Sequence, residues 1–362
     1  MEAKHFSPTE NARSVSRYVL FATNRAIDQM EEYTARIRLG KILRYDRLFK
    51  PTLGTSTSFG WALVAYPAHH RPGSPDFKED SSLQNPLKNF SIIDHQILAT
   101  PEAFRLSIQV MSGSEGDRSL LFVPGIDTSF NDGAERLAQL VVDLDIQGSP
   151  VLFSWPSDNL RLIPTQSLLG LTPTSYLDTA NIAAKSIPHL TRTIDEVAHD
   201  GVPFDVLAHS MGSEITVSSV SGRSSGLPVR VAEGQPDSIP AMPSLIFAAP
   251  DVSTKEFSTV FRKRLVERSK HITVYCSDDH ALWMSANIRP SDERLGYCLS
   301  QKQPMDGVEF VPVVGGTHDF ANHSYYILAR EMLSDIKSVL SAEITTQSLP
   351  PGKERKIEIH SK

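Results

Sequence analysis

The sequence predicts an α/β fold with a mainly parallel central sheet and helices on both faces. Three observations predict it. Apolar runs at residues 120–123, 151–153 and 244–249 show no polar alternation, as expected of strands covered on both faces. Segments of helical length separate them, which is the βαβ arrangement. Chemically competent groups fall at the carboxyl ends of such runs, where parallel sheets carry their sites. These are Ser210, then Asp278 and Asp279, then His318 and His323.

Residues 1–16 are polar and charged and read as a flexible arm. Residues 18–22 form a strand ended by Thr23-Asn24-Arg25, and residues 26–50 suggest a short helix with a connecting strand. A second strand, 61–66, is stopped by Pro67. His69-His70-Arg71-Pro72-Gly73 opens a polar loop. The two histidines lack a partner at metal-ligand spacing and read as surface-loop residues. Loop 74–89, a strand at 90–98 and a helix at 100–110, with Pro101 near its start, complete an N-terminal β-rich section, residues 17–115.

The core begins with strand 120–123, which ends at Pro124-Gly125-Ile126-Asp127. A helix follows with Leu137, Leu140, Val141 and Leu144 on one face. Strand 151–153 leads to residues 157–175, read as a loop covering the site, and to a long helix, 175–199, with a bend at Pro188. After strand 204–209, residues 221–243 are rich in Ser, Gly and Pro and read as a surface insertion. Strand 244–249, an amphipathic basic helix at 253–268, strands 271–276 and 308–314, and a helix at 324–340 close a single domain, 17–341. The tail, 342–362, is polar, contains Pro350-Pro351 and reads as disordered.

The chain of 362 residues is 40% hydrophobic, enough for a full core. Its net charge of −6 gives no basic excess for nucleic acid or an anionic membrane. No apolar run reaches the length of a membrane span, and no secretory leader is visible. Cys276 and Cys298 sit in no C-x-x-C or zinc pattern. They read as reduced thiols of a cytoplasmic protein, with a single disulfide as the alternative.

Strand 204–209 ends in Ala208-His209-Ser210-Met211-Gly212, and small or β-branched residues follow. Strand, sharp turn with Ser, then helix is the nucleophile elbow of α/β-hydrolases, with Ala at the first position of G-x-S-x-G. A serine hydroxyl needs an imidazole to take its proton, and the imidazole needs a carboxylate to fix its tautomer. Candidate acids are Asp278 and Asp279, and candidate bases are His318 and His323. The order Ser, Asp, His is that of α/β-hydrolases. The oxyanion requires two donors: the Met211 N–H and the N–H of Ile126 in the loop after the first core strand. His209 should point away from the Ser210 hydroxyl and pack under the elbow.

Several linked segments resemble the bacterial α/β-hydrolases grouped as the DUF900 esterase/lipase-like family. They are Phe21-Ala22-Thr23-Asn24-Arg25; Tyr66-Pro67 with His70-Arg71-Pro72-Gly73; Leu121-Phe122-Val123 with Gly125 and Thr128-Ser129-Phe130; Val151 to Ser157; and the elbow. Ala248-Ala249-Pro250-Asp251, Ser277-Asp278-Asp279-His280-Ala281-Leu282 and Asn322-His323-Ser324-Tyr325-Tyr326 follow in order. The resemblance implies Ser210 as nucleophile, Asp279 as acid and His323 as base. The competing choices are Asp278 and Asp251 for the acid and His318 for the base. It also implies a departure: relatives carry His-Gly-Tyr-Asn where this chain has Pro124-Gly125-Ile126-Asp127. Asp127 is expected to face solvent and cap the following helix.

The function expected is hydrolysis of carboxylic esters through an acyl-enzyme, on a small-molecule acyl substrate and without cofactor or metal. An amidase, thioesterase or acyltransferase with the same triad is the alternative. A non-catalytic binding protein on a hydrolase scaffold is a reading of another class. Trp155, Leu168, Leu169, Tyr176 and Trp283 are apolar pocket candidates.

Overall fold

The computed structural model describes residues 14–28, 48–74, 85–112, 117–158, 172–223, 242–289, 293–298, 304–316, 323–341 and 355–360. The chain opens with a meander: β1 (Ser14–Ile27), β2 (Phe49–Pro67) and β3 (Ser91–Ile97). Then come α1 (Pro101–Met111), β4 (Ser119–Val123), α2 (Phe130–Leu144), β5 (Pro150–Ser154), α3 (Pro173–Ala198), β6 (Phe204–His209) and α4 (Gly212–Ser221). The second half holds β7 (Met242–Ala248), α5 (Arg262–Arg268), β8 (Ser269–Cys276), α6 (His280–Ile288), β9 (Glu309–Val314), α7 (Arg330–Ser341) and β10 (Ile357–Glu358).

One ten-stranded sheet runs β10-β9-β8-β7-β6-β4-β5-β1-β2-β3. Only the β1–β2 and β2–β3 pairs are antiparallel, so β2 alone runs against the others. The unbroken apolar run of β4 follows from burial on both faces. Leu120 and Phe122 pack with α2 and α7 in one core, while Leu121 and Val123 pack with α1, α3 and α4 in the other. The chain leaves β4 for β5 and returns past it to β6. That reversal opens a crevice at the carboxyl ends of β4 and β6. No helix of the described residues is long and apolar enough to cross a membrane.

Several expectations are corrected. The basic helix expected at 253–268 runs unbroken from Thr254 to Arg268, but not as a regular α-helix: Phe257–Phe261 forms a π-bulge ahead of α5. Phe257, Phe261 and Leu265 are thereby all buried in one core. The expected helix 324–340 breaks at Ala329, whose backbone is extended, separating a short helix, Tyr325–Leu328, from α7. Ser14, Val15 and Ser16 belong to β1 rather than to an arm.

The tail is not wholly disordered. β10 pairs in parallel with β9, Ile357 is buried, and Arg355 reaches Glu309 (2.9 Å) and Asp335 (3.5 Å). Composition hides this because the pairing partner lies some forty residues upstream.

His70 is not a surface residue: its side chain is 2% exposed, packed against Phe90 and bound to Asp143 of α2 at 2.8 Å. The cysteines are not free thiols, because Cys276 and Cys298 form a disulfide with Cα atoms 5.5 Å apart. Backbone bonds from Ser277 N to Gly296 O and from Cys298 N to Ser277 O, both 3.0 Å, bring the second cysteine to the end of β8. The cysteines therefore give no argument for a reducing compartment. The helix within 26–50, most of the covering loop 157–175, most of the insertion 221–243 and His318 lie outside the described residues.

Ending the chain at residue 354 would remove β10 and the burial of Ile357. Stability should fall by about 2 kcal/mol, read as a lower urea midpoint; an unchanged midpoint would mean that β10 adds nothing.

Candidate active site

Ser210 follows β6 directly and sits in the left-handed region, with φ of 52°. For a residue with a β-carbon this costs about 1–2 kcal/mol. Three backbone hydrogen bonds hold it there: Ser210 N donates to Ala248 O (3.0 Å), and Ser210 O accepts from Ser213 N (3.0 Å) and Asp251 N (3.1 Å). The turn brings α4 against the end of β4. A β-carbon at Gly212 would lie 2.4 Å from Pro124 O, so only glycine fits there. One at Gly125 would lie 2.7 Å from Ser210 Cβ and 3.3 Å from its Oγ. The loop after β4 thus presses directly on the serine.

That loop is pinned from the neighbouring strand ends. Trp155 Nε1 donates to Pro124 O (2.8 Å), and Asp127 N donates to Ser157 O (2.8 Å). Ser157 Oγ donates to Thr128 O (2.7 Å). Buried Arg25, at the end of β1, donates to Thr128 O (2.8 Å) and to Ser154 Oγ (2.9 Å) and pairs with Asp158 (2.6 Å). Sequence reasoning assigned none of these roles, although Arg25, Trp155 and Ser157 all lie in the segments that carry the family resemblance. Asp127 faces solvent as expected but does not cap α2. Ser129 caps it, in a capping box with Asp132. Asp127 lies two residues too early, in left-handed backbone.

Asp279 is buried at the N-cap of α6. Its Oδ1 accepts from Leu282 N (2.8 Å), and its Oδ2 accepts from Ser277 Oγ (3.2 Å) and lies 3.2 Å from His323 Nδ1. Asp278 is exposed. Asp251 serves a separate buried network: it accepts from Tyr176 OH (2.7 Å) and Ser285 Oγ (2.6 Å) and faces Arg294 (3.5 Å). Of the three candidate acids, Asp279 is therefore the one placed beside His323.

His209 packs under the elbow as expected. Its ring lies 4.6 Å from that of His323 and 4.4 Å from that of Tyr326. Its Nε2 lies 3.0 Å from His323 O. A carbonyl only accepts, so Nε2 carries the proton. Burial, then the nearby His323 and Arg136, push the His209 imidazole well below its ordinary range, so it is neutral. Among the pocket candidates, Trp155 and Tyr176 are buried structural donors and Trp283 is 47% exposed. Leu168 and Leu169 lie outside the described residues.

Residues 102–337 match the family described as "Alpha/beta hydrolase of unknown function (DUF900)". The chain belongs to this family. No curated protein matches it. Among solved structures, an iodinated acetyl xylan esterase is 11% identical over 62% of this chain and 98% of its own, with a TM-score of 0.35. Esterase Est2 of the Planctomycetes species Thermogutta terrifontis is 12% identical over 81% of this chain and 90% of its own, with a TM-score of 0.33.

His209 generates a pH prediction for this DUF900 protein. Its folded-state affinity for protons lies below that of the unfolded chain, so the unfolded state binds more protons under about pH 6.5. The stability it contributes is complete above that pH and is lost as pH falls, by up to about 1.4 kcal/mol per pH unit. His209→Gln keeps a donor for His323 O and should flatten this loss, read as denaturant midpoints at pH 5 and 7.5.

Proposed function

We propose that the protein is a serine hydrolase of carboxylic esters that works through an acyl-enzyme. The observation that carries this reading is the left-handed Ser210 at the end of β6, with Gly125 against it, together with a 3.2 Å contact between buried Asp279 and His323, whose carbonyl accepts from the adjoining His209.

In the proposed reaction, His323 takes the Ser210 proton as Oγ attacks the acyl carbon, and a tetrahedral oxyanion forms. Asp279 fixes the proton on His323 Nδ1, which leaves Nε2 to act as base, and it stabilises the imidazolium. The amides of Met211 and Ile126 would hold the oxyanion. The Asp127 amide is already committed to Ser157 O, which supports Ile126 as the donor from this loop. His323 returns the proton to the leaving alcohol. Water then attacks the acyl-enzyme with His323 again as base, releasing the acid and restoring Ser210. No metal or cofactor enters these steps.

A fluorophosphonate should add one adduct to the wild type and none to Ser210→Ala, read by intact mass. Ester hydrolysis should fall by roughly 10⁴-fold or more in Ser210→Ala and His323→Ala. Undiminished hydrolysis in Ser210→Ala would sink the mechanism.

A further inference from the structure

The His70-Arg71-Pro72-Gly73 segment lies outside the chemistry above, yet its groups are committed to the part of the chain that carries His323. His70 Nε2 donates to Asp143 Oδ1 (2.8 Å), in a pair whose side chains are 2% and 0% exposed. Gly73 N donates to Asp143 Oδ2 (3.1 Å). Gly73 has φ of +72°, and a β-carbon there would lie 2.9 Å from Leu328 O. Pro72 O accepts from Arg330 Nε (2.9 Å). The loop therefore packs on the chain just after His323.

The helix behind it continues the connection. Arg136, Gln139 and Asp143 stand at i, i+3 and i+7 on α2 and so share one face. Gln139 Nε2 donates both to Asp143 Oδ2 and to Ile327 O, each at 3.1 Å. Arg136 Nη1 reaches Tyr326 OH at 3.5 Å. The Tyr326 ring lies on His209, whose Nε2–H is bonded to His323 O. The helix Tyr325–Leu328 has only four residues and cannot fix its own position. Its place is held by these side chains together with its own buried residues, among them Tyr325, whose hydroxyl donates to Tyr275 O (3.2 Å).

We propose that His70, Asp143 and Gln139 form a clamp that positions His323 for catalysis, with His70 locking the clamp. They are positioning residues, since they act on His323 only through the segment they hold. Asp143 is a buried carboxylate and needs all its donors. Without His70 it would draw Gln139 toward itself and away from Ile327 O. The His323 turn would then lose its tether, and small displacements of a base cost large factors in rate.

This inference rests on the serine-hydrolase reading, and the test separates the two. The rate of Ser210 labelling by a fluorophosphonate is measured against pH for wild type, Gln139→Met, His70→Ala and His70→Gln, with thermal midpoints alongside. Gln139→Met keeps the volume but loses the donor, and it carries the test if His70→Ala does not fold. Gln139→Met and His70→Ala should label at least about tenfold more slowly than wild type well below their melting points, with an altered pH profile. His70→Gln, which keeps a donor for Asp143, should recover most of the rate. Wild-type rates and an unchanged pH profile in folded Gln139→Met would overturn the clamp and leave the hydrolase reading standing. Absence of labelling in the wild type would overturn the hydrolase reading and the clamp's catalytic role with it.

Discussion

The left-handed backbone at Ser210 is the constraint on which the rest of the structure depends. A residue with a β-carbon does not rest there unaided. Backbone bonds from β7 and α4 and from the Asp251 amide close on both sides of it. Holding those partners in place requires strand ends that approach closely. Gly212 against Pro124, and Gly125 against Ser210, are the consequence. The position of the loop after β4 is thus tied to the same turn that exposes the serine.

Beneath the elbow lies a second constraint, set by buried charge. Asp251, Arg294 and Glu214 are all buried, and Arg289 pairs with Glu214 at 3.5 Å while lying over the Tyr176 ring. Burial raises the Glu214 carboxyl and, with Asp251 beside it, the Tyr176 phenol. Removing one partner from such a buried network is strongly destabilising, because it leaves the other without its counter-charge. The network joins α3, α4 and α6, so it fixes the elbow helix relative to the helix that Asp279 caps.

Much of this was legible in the sequence because it is local. The runs of β4 to β8, the elbow and the order of Ser210, Asp279 and His323 are all patterns along the chain. The contacts that arrange the site are not local. Nothing near His70 announces a carboxylate 73 positions away on α2, so it read as a loop residue. Ile357 and Ile359 are isolated apolar residues in a polar stretch until β9 offers that stretch a partner. Cys276 and Cys298 meet only because the Gly296 turn folds back on β8. Asp127 resembled a helix cap, but it stands two residues before the actual cap, Ser129, and in left-handed backbone.

The hydrogen bond from Trp155 to Pro124 O also gives the site an optical handle. The chain has three tryptophans in three different surroundings. Trp155 is fully buried against the loop beside Ser210, Trp61 is half-buried with its ring edge-on to Tyr18, and Trp283 stands in solvent stacked on His280. A soluble quencher will silence Trp283 first and Trp155 last. The emission that survives quenching therefore reports whether the loop over the serine has moved, with no label attached.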